Sequence, residues 1–423
     1  MYRIGIIGGG AAGMMAAAAA KETSPASEVI LFEKNEKPGK KLYITGKGRC
    51  NVTNTCGTQE SLTQIVRNPK FLYSALYGFD HDAVMEFFTS AGVPLKTERG
   101  GRVFPVSDHA SDITRALVKR LTVSGVEIRL NTTVRQILTQ AGPAQADRAL
   151  LTGLKTADGK EEHLDAVIVA TGGLSYPATG STGDGYRFAR ETGHRVEAQR
   201  PSLVAMETVQ DWCRDLTGLT LHNVNVSLYA GGTCIAQEFG ELLFTHFGVS
   251  GPVILRLSAV PSRKQIDAGL SLEMDLKSAL SEEMLDRRLL RDLEKYRNRD
   301  VCNALKDLLP QALIPVILRE CDIDPRQKAN ALSTVQRAAL RQNLKHLHVE
   351  IAALRGFHEA VITRGGVSVK DINASTMESK RVSGLYFAGE VIDVDALTGG
   401  YNLQIAWSTG HLAGKCAAER AGG

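Results

Sequence analysis

The sequence predicts an α/β fold in which a dinucleotide-binding domain is interrupted by an inserted β domain that carries a helical subdomain. Three observations favour this architecture. The chain opens on an apolar strand, a glycine-rich turn and an alanine-rich helix; short β-like segments and then helices replace this pattern in the middle; and a strand with a glycine turn returns near the C-terminus. With 423 residues, the chain is long enough for two or three domains.

The opening segment predicts a strand that leads into a phosphate-binding turn. The turn spans residues 8–13, with Gly8, Gly10, Ala11, Ala12 and Gly13, and residues 16–20 continue as a helix. In such a turn the first glycine allows the tight bend, the second lets the backbone approach a pyrophosphate, and the third lets helix and strand pack closely. The free N–H groups at the start of the helix suit the anion.

A second apolar strand over residues 28–33 ends on Glu33, twenty residues after Gly13. An acid at this place accepts hydrogen bonds from a ribose hydroxyl. Strand, glycines, helix, strand and acid in this order indicate a Rossmann-like dinucleotide-binding domain. The competing interpretation is a glycine-rich turn in an ordinary α/β protein.

The elements that follow are predicted from periodicity and turn residues. The segment 37–54 is too rich in glycine and polar residues for regular structure, and long loops of this kind tend to be functional. Apolar spacing and turn residues predict helices over 80–91 and 111–121, a hairpin around Gly100-Gly101, and strands over 127–130, 133–138 and 164–170. The last strand ends in Thr171-Gly172, and ligands bind at the carboxyl ends of strands in open α/β sheets.

The middle of the chain changes character twice. Short β-like runs such as 224–228 and 270–274 dominate up to about residue 276, and helices dominate from Ser281 to His348. Ser281 is suited to cap the first of these helices, and Ser333 with Gln336 predicts a capping box for another.

The first pattern then returns, because the strand 384–390 ends in Gly389-Glu390 and Gly399-Gly400 precede a helix from about Leu403. The predicted boundaries are 1–193 and 360–423 for the dinucleotide-binding domain, 194–276 and 349–359 for the inserted β domain, and 277–348 for the helical subdomain.

Composition predicts a cytoplasmic protein without a metal site. The net charge is +4, and the seven cysteines form no CxxC pair or regular framework, which favours a reducing compartment. We interpret the apolar run 4–20 as part of the fold rather than a signal peptide, because it contains five glycines and leads directly into the second strand. No other stretch approaches the roughly twenty apolar residues that a membrane span needs.

One stretch of the helical subdomain, 325–349, contains no acidic residue. A run of this kind is usually a solvated face, and the alternative is contact with RNA or another polyanion. The basic residues that would make this contact are Arg326, Lys328, Arg337, Arg341 and Lys345.

Three longer segments make the prediction more specific. They are residues 39–54, called here the signature loop, residues 243–252 and residues 389–404. Together with the opening turn, they resemble the BaiN/YhiN-like flavoproteins of the two-dinucleotide-binding-domain superfamily, whose cofactor is FAD. The resemblance covers essentially the whole chain and implies that the Rossmann-like domain binds FAD.

The resemblance also implies a set of FAD contacts. The pyrophosphate would lie over residues 8–13, Glu33 would hold the adenosine ribose, Val134 would contact adenine, and the helix near Asn402 would direct its N–H groups at the flavin. The implied cofactor-binding residues are Gly8, Gly10, Ala11, Ala12, Gly13, Glu33, Lys34, Lys41, Gly48, Arg49, Cys50, Asn51, Val134, Thr171, Gly172, Gly389, Glu390, Asp393, Gly400, Tyr401, Asn402 and Leu403.

The activity implied by the resemblance is reduction of a C=C bond conjugated to a carbonyl, as in a 3-oxo-enone steroid or bile acid. Such a reaction needs hydride at the β-carbon, a donor for the carbonyl oxygen and an acid for the α-carbon. The candidate acids are Cys50, Tyr176, His246 and Tyr401. Each of these four residues also has a purely structural interpretation. For Cys50 the catalytic interpretation is a thiol whose pKa is lowered by Arg49, and the structural one is a small buried apolar residue.

For the carbonyl or a carboxylate of the substrate, the candidates are Arg49 and Arg102, although either could instead pair with the cofactor phosphates. The inserted domain, with His246 in a polar turn, is expected to cover the flavin.

Other activities stay open. Uracil also has a C=C bond conjugated to a carbonyl, so reduction of uridine to dihydrouridine in ribosomal RNA is the first alternative. An amine or aminoketone oxidase and a flavin-binding module without turnover are further alternatives. No second GxGxxG motif is present, so NADH or NADPH is expected to dock transiently as the electron donor. The sequence does not predict the oligomeric state.

Overall fold

The computed structural model describes residues 1–142 and 148–422. These residues form two compact units, Met1–Ser202 together with Phe357–Gly423, and Leu203–Gly356. The division into three domains in the sequence analysis stays a prediction.

Strands and helices are numbered along the whole chain. The strands are β1 (Arg3–Ile7), β2 (Glu28–Phe32), β3 (Thr53–Asn54), β4 (Ile65–Arg67), β5 (Leu95–Glu98), β6 (Arg102–Pro105), β7 (Glu127–Arg129), β8 (Val134–Gln140), β9 (Ala149–Thr156), β10 (Glu161–His163), β11 (Ala166–Val169), β12 (Arg200–Ser202), β13 (Met206–Thr208), β14 (Thr220–Ala230), β15 (Thr233–Thr245), β16 (Gly248–Ser250), β17 (Leu270–Asp275), β18 (Leu347–Leu354), β19 (Ile362–Arg364), β20 (Val382–Ser383), β21 (Leu385–Phe387) and β22 (Asp395–Ala396). The α-helices are α1 (Ala11–Thr23), α2 (Thr58–Thr63), α3 (Tyr73–Gly78), α4 (His81–Ser90), α5 (Ala110–Val123), α6 (Asp184–Glu191), α7 (Trp212–Asp215), α8 (Pro252–Ser258), α9 (Arg263–Asp267), α10 (Glu282–Lys295), α11 (Val301–Ala304), α12 (Ile314–Glu320), α13 (Thr334–Lys345) and α14 (Tyr401–Glu419).

The first unit is built on a five-stranded parallel sheet in the order β21-β11-β1-β2-β7. Strands β1, β2 and β11 lie inside the sheet and are almost entirely buried, as their continuous apolar runs predict. The carboxyl ends of parallel strands meet at one edge of a sheet. The glycine turn after β1, Glu33 after β2, Thr171 after β11 and Gly389 after β21 therefore all belong to the same edge.

Helix α1 follows the turn, as predicted, and packs against α14 from the other end of the chain. The two backbones approach closely, since a Cβ atom added at Gly410 would lie 2.3 Å from the Ala12 carbonyl oxygen, and one at Gly414 would lie 2.1 Å from that of Ala16. The C-terminal helix therefore completes the domain that the N-terminal strand begins, which confirms the prediction of an interrupted α/β fold.

Smaller sheets surround the parallel sheet, in the pairings β3-β6-β5, β4-β22, β12-β19 and β8-β9 with β10 and β20. The predicted helices over 80–91 and 111–121 are α4 and α5, and the predicted hairpin is β5-β6. The expectation that 37–54 has no regular structure is wrong. Short 3₁₀ turns lie within Leu42–Gly48, where Thr45, Gly46 and Lys47 are not helical and kink the segment, and β3 follows.

The second unit is a closed antiparallel barrel in the order β13-β16-β15-β14-β17-β18, with helices α7 to α13. Alternate residues of β17 are buried, which places one face of the strand in the apolar core. Ser281 caps α10, and Ser333 forms a capping box with Gln336 at the start of α13, as predicted. Barrel closure was not predicted, because it depends on pairings such as β13 with β18 that join distant parts of the chain.

Candidate functional site

The glycine turn after β1 leaves an open space in front of α1. A Cβ atom at Gly8, whose φ is +106°, would lie 2.6 Å from the Ala170 carbonyl oxygen, and one at Gly13 would lie 1.9 Å from that of Gly8. At Gly10, by contrast, an added Cβ atom meets nothing within 4 Å. Gly8 and Gly13 are therefore needed by the protein itself. The space at Gly10, beside the first N–H groups of α1, fits a pyrophosphate.

Glu33 lies at the mouth of this turn and is buried. Its carboxylate accepts hydrogen bonds from the Gly9 N–H (2.8 Å) and from the backbone N–H (2.8 Å) and side-chain amide (2.7 Å) of Asn35. These bonds fix the carboxylate in one orientation beside the glycine turn. Its neighbour Lys34 pairs with Asp184 at 2.7 Å, so the ammonium group of Lys34 already has a partner within the protein.

A second polar cluster joins three distant segments at the same edge of the sheet. The Lys41 ammonium group lies 2.6 Å from a Glu390 carboxylate oxygen and 2.5 Å from the Ser175 hydroxyl. Glu390 also accepts hydrogen bonds from Ser175 Oγ (2.8 Å) and the Thr363 N–H (2.8 Å). The signature loop, the segment after β11 and the turn after β21 are thus held together through Glu390.

Replacing Lys41 with alanine is expected to lower FAD affinity about tenfold, or roughly 1.4 kcal/mol, because Glu390 loses its cation and the signature loop loses this anchor. Lys40→Ala is the matched control, since Lys40 pairs with the largely exposed Glu36 and such surface pairs contribute little. Titration of apoprotein with FAD, followed by quenching of flavin fluorescence, measures both constants. Equal affinities in the two variants would contradict this role of Lys41.

Two unsatisfied polar groups lie in the site region, one in the signature loop and one in the turn after β11. Asn51 Oδ1 and Thr171 Oγ1 are buried and have no hydrogen-bond partner among the described residues. Unpaired buried polar atoms are uncommon in folded proteins, and a ligand that hydrogen-bonds these two atoms would satisfy them. Together with the open space at Gly10, these atoms fit a bound FAD. Gly48 and Gly172, with φ of +87° and +71°, make the turns beside Asn51 and Thr171.

The structure corrects the predicted chemistry of Cys50. The Arg49 guanidinium group points to Glu98 (2.8 Å) and Asp108 (3.3 Å) and lies over the Phe104 ring. Cys50 is fully buried, and burial raises the pKa of its thiol to about 12. Of the two interpretations of Cys50, lowering of its pKa by Arg49 is therefore wrong and the small buried residue agrees with the structure, because desolvation dominates and the nearby charge is engaged elsewhere.

A raised thiol pKa has a direct chemical consequence. We expect iodoacetamide at pH 8 to leave Cys50 unmodified in the folded protein while the exposed Cys234 reacts, because the thiolate is the reactive form. Peptide mass spectrometry after a timed reaction distinguishes the two cysteines, and unfolding in urea before alkylation provides the positive control. Modification of Cys50 as fast as Cys234 would show that the loop opens in solution.

The first turn of α14 lies at the end of a second glycine turn. Gly400 has φ of +104°, and a Cβ atom there would lie 2.4 Å from the Thr53 carbonyl oxygen. The Asn402 side chain accepts a hydrogen bond from the Ala396 N–H (3.0 Å) and donates one to the Ala396 carbonyl oxygen (2.7 Å). These contacts hold the segment before α14 against the beginning of the helix.

The tyrosine candidates have different surroundings. The Tyr401 hydroxyl lies 3.7 Å from Cys56 Sγ. Tyr176 has a left-handed backbone conformation (φ +52°), which is uncommon for a bulky residue. Burial raises the pKa of Tyr176. The phenol therefore keeps its proton at neutral pH, as a proton donor must.

The remaining predicted residues are spread over both units. Val134 is buried at the start of β8, and Asp393 is buried and pairs with Arg67 at 2.6 Å. Arg102 is exposed and lies 3.8 Å from Glu98. His246 belongs to the second unit, where it is exposed in the turn between β15 and β16. The first unit thus brings together the residues around Glu33, Glu390 and Gly400, whereas His246 lies outside that unit.

Sequence reasoning missed Ser175 and Thr363, which hold Glu390. Ser175 lies only two residues beyond the Thr171-Gly172-Gly173 turn, where ligand binding was predicted, so its position could have identified it as a site residue. Thr363 lies in β19, nearly two hundred residues further along, and nothing in its local sequence marks it.

The predicted basic surface is also corrected. Lys345 pairs with Asp275 (2.5 Å), Arg337 with Asp286 (3.1 Å) and Lys328 with Asp300 (2.7 Å). Arg341 lies within 3.7 Å of Asp286 as well. The stretch contains no acid in sequence, but acids from other segments pair with it, so most of its charge is neutralised. Arg326 is exposed.

Within residues 1–142 and 148–422, no group of three or more His, Cys, Asp or Glu side chains is arranged to hold a metal ion. Over the same ranges, we find no helix with the length and apolar character that crossing a membrane requires.

Known proteins match this chain over most of its length. The family model described as HI0933-like protein Rossmann domain matches residues 2–416. The chain is 32% identical over 421 residues to a 3-dehydro-bile acid delta(4,6)-reductase of Clostridium scindens, with 99% of this chain and 100% of the relative covered. It is 31% identical over 382 residues to a ribosomal RNA dihydrouridine synthase of Escherichia coli, with 90% of each chain covered.

A solved structure shares the fold at low sequence identity. It is a 3-ketosteroid delta1-dehydrogenase from Sterolibacterium denitrificans, which aligns with a TM-score of 0.51 and 14% identity and covers 99% of this chain and 100% of that chain.

Proposed function

This chain belongs to the HI0933-like Rossmann family of FAD-dependent oxidoreductases, and we propose that it reduces a C=C bond conjugated to a carbonyl in a 3-oxo-enone steroid of the bile-acid type. The observation that carries this proposal is the 32% identity to the bile acid reductase over the full length of both chains. The two activities named for the relatives share one chemistry, because uridine also contains a C=C bond conjugated to a carbonyl.

The site of the first unit supports the proposal through its fit to the cofactor. The turn at Gly10 and the start of α1 would hold the pyrophosphate, Glu33 the ribose, and Asn51 and Thr171 would use their unpaired oxygens on the cofactor. When bound, FAD supplies the hydride chemistry, and the protein supplies orientation, electrostatics and a proton. The N-terminus of α14 would favour negative charge in front of it.

Tyr176 and Tyr401 are the proposed proton donors in the first unit. Burial raises the pKa of Tyr176, which suits its phenol to donate rather than to act as a base, and Tyr176 is held at a strained position in the turn after β11. Cys50 is a weak candidate, because its burial keeps the thiol neutral and away from solvent. Arg102 stays the candidate for a carbonyl or carboxylate of the substrate, since its side chain is exposed.

Reduction of uridine in ribosomal RNA is the second candidate, favoured by 31% identity over 90% of each chain to the Escherichia coli enzyme. The ion pairs of Lys328, Arg337 and Lys345 weaken it, because they remove much of the cationic surface on which the alternative of RNA contact depends.

The test is an anaerobic flavin spectrum of the purified protein. NADH or NADPH is added first and is expected to bleach the bound flavin; a 3-oxo-4-ene steroid is then expected to restore the oxidised spectrum, with the saturated 3-oxo steroid as the inactive control. Reoxidation by unmodified ribosomal RNA, and not by the steroid, would transfer the assignment to uridine reduction. Reoxidation by oxygen after reduction with an amine would indicate an oxidase, and absence of any reduction by NADH, NADPH or an amine would indicate a binding module.

A further inference from the structure

Asp395 is a buried acid that none of the roles discussed above uses. It lies in β22, opposite Arg67 of β4, and its side chain is 0% exposed. Neither carboxyl oxygen has a hydrogen-bond partner among the described residues. An ionised carboxylate without hydrogen bonds is strongly disfavoured in a protein interior, so burial favours the protonated form of this carboxyl group.

The charges that face Asp395 come from three segments. Arg364 of β19 and Arg67 of β4 favour the ionised form, whereas the nearby Asp393 disfavours it. Arg67 donates its hydrogen bond at 2.6 Å to Asp393 rather than to Asp395. Burial outweighs both arginines and raises the pKa of Asp395 to about 6. The group can therefore gain or lose a proton near neutral pH.

Asp395 is connected on both sides to the site of the first unit. The next residue, Ala396, is held by the Asn402 side chain in the first turn of α14. On the other side, Arg364 follows Thr363, whose N–H donates to Glu390. A change of charge at Asp395 thus occurs beside the framework that would support the flavin.

We propose that Asp395 takes up a proton when the bound flavin is reduced and releases it when the flavin is reoxidised. The proposal rests on FAD use as proposed above. Negative charge on the reduced cofactor raises the proton affinity of a nearby carboxyl, and by linkage a protonated carboxyl favours reduction to the same extent. Because Asp395 is 0% exposed, it does not reach a bound ligand directly, and we assign it a positioning role that acts through charge.

The stoichiometry balances with the proposed reaction. A hydride, with its two electrons, enters from a nicotinamide whose C–H bond breaks, and an O–H bond forms on Asp395 with a proton from solvent. On reoxidation the substrate gains hydride at the β-carbon and a proton at the α-carbon, the C=C bond is lost, and the O–H bond of Asp395 breaks. Asp395 therefore releases one proton in each cycle, and the product takes up one proton.

The test measures the midpoint potential of bound FAD between pH 5 and pH 8.5 by dithionite titration with a reference dye, without any acceptor. Each proton that accompanies two electrons changes the potential by about 30 mV per pH unit. Above pH 6, we expect about 60 mV per pH unit in the unmodified protein and about 30 mV in Asp395→Asn. Equal slopes in the two proteins would overturn the proposal.

The control is Asp371→Asn, which removes another buried carboxyl of the same unit, one that pairs with Arg381 at 2.9 Å. This variant is expected to keep the steep slope. If Asp395→Asn fails to retain FAD, Asp395→Ser is measured instead; loss of FAD from both variants would also overturn the proposal, because a residue that acts only through charge is not needed for retention. Since no acceptor is present, failure of the enone or uridine assignment leaves this result unaffected.

Discussion

Gly10→Ala is expected to lower FAD affinity about a hundredfold, or roughly 3 kcal/mol, while the fold of the apoprotein stays intact. The backbone of Gly10 has φ of −82° and ψ of −169°, which alanine adopts readily. An added Cβ atom meets no protein atom within 4 Å. The methyl group therefore occupies only the space in which the pyrophosphate would lie.

Gly13→Ala provides the contrast. Its Cβ atom would lie 1.9 Å from the Gly8 carbonyl oxygen, so α1 has to move away from the turn. We expect this variant to lose stability as well as FAD, by about 3 kcal/mol or more. Urea unfolding of the two apoproteins, together with FAD titration, separates a loss of binding from a loss of folding. A Gly10→Ala variant that binds FAD normally would place the pyrophosphate elsewhere.

Asp395→Asn is expected to stabilise the protein by about 3 kcal/mol at pH 8 and to leave its stability nearly unchanged at pH 4. The pKa of Asp395 is raised from 3.8 to about 6 by burial, and one pKa unit corresponds to about 1.4 kcal/mol. Between pH 3.8 and about pH 6, the folded state binds more protons than the unfolded state. The stability contributed by this group is therefore present at low pH and is lost as the pH rises to about 6.

Asparagine has nearly the same shape and cannot ionise, so it avoids this loss. Asp371→Asn is the control with the opposite sign. Hydrogen bonds from the Arg195 N–H and Arg381 outweigh burial and lower the pKa of Asp371, so its removal is expected to destabilise the protein at neutral pH. Urea midpoints for the apoproteins from pH 4 to pH 8 give both profiles. A pH-independent difference between Asp395→Asn and the unmodified protein would contradict the raised pKa.

The corrections share a physical cause. One interpretation of Cys50 was a thiol activated by Arg49, its neighbour in sequence, but Arg49 turns to Glu98 and Asp108 and Cys50 is buried, as the alternative interpretation held. The basic stretch was expected to be a cationic surface because no acid lies within it, yet Asp275 and Asp286 pair with it from other segments. Neighbours in sequence did not predict neighbours in space in either case.

The sequence by itself predicted the α/β framework and the glycine turn at which we propose that the cofactor binds. The glycines of the first turn, the acid after β2 and the returning C-terminal segment have local signatures, because steric and hydrogen-bonding demands at those positions admit few residue types. The helix caps at Ser281 and Ser333 were predictable for the same reason.

Only the tertiary structure decided which charged side chains find partners within the protein and which do not. The clustering of Lys41, Ser175 and Thr363 around Glu390, and the isolation of Asp395, arise from pairings between segments that are far apart in the chain. The energy of a charged group depends on its burial and on the partners within a few ångströms. Both quantities are set by how the chain folds back on itself, so the fold rather than the local sequence determines the chemistry of these side chains.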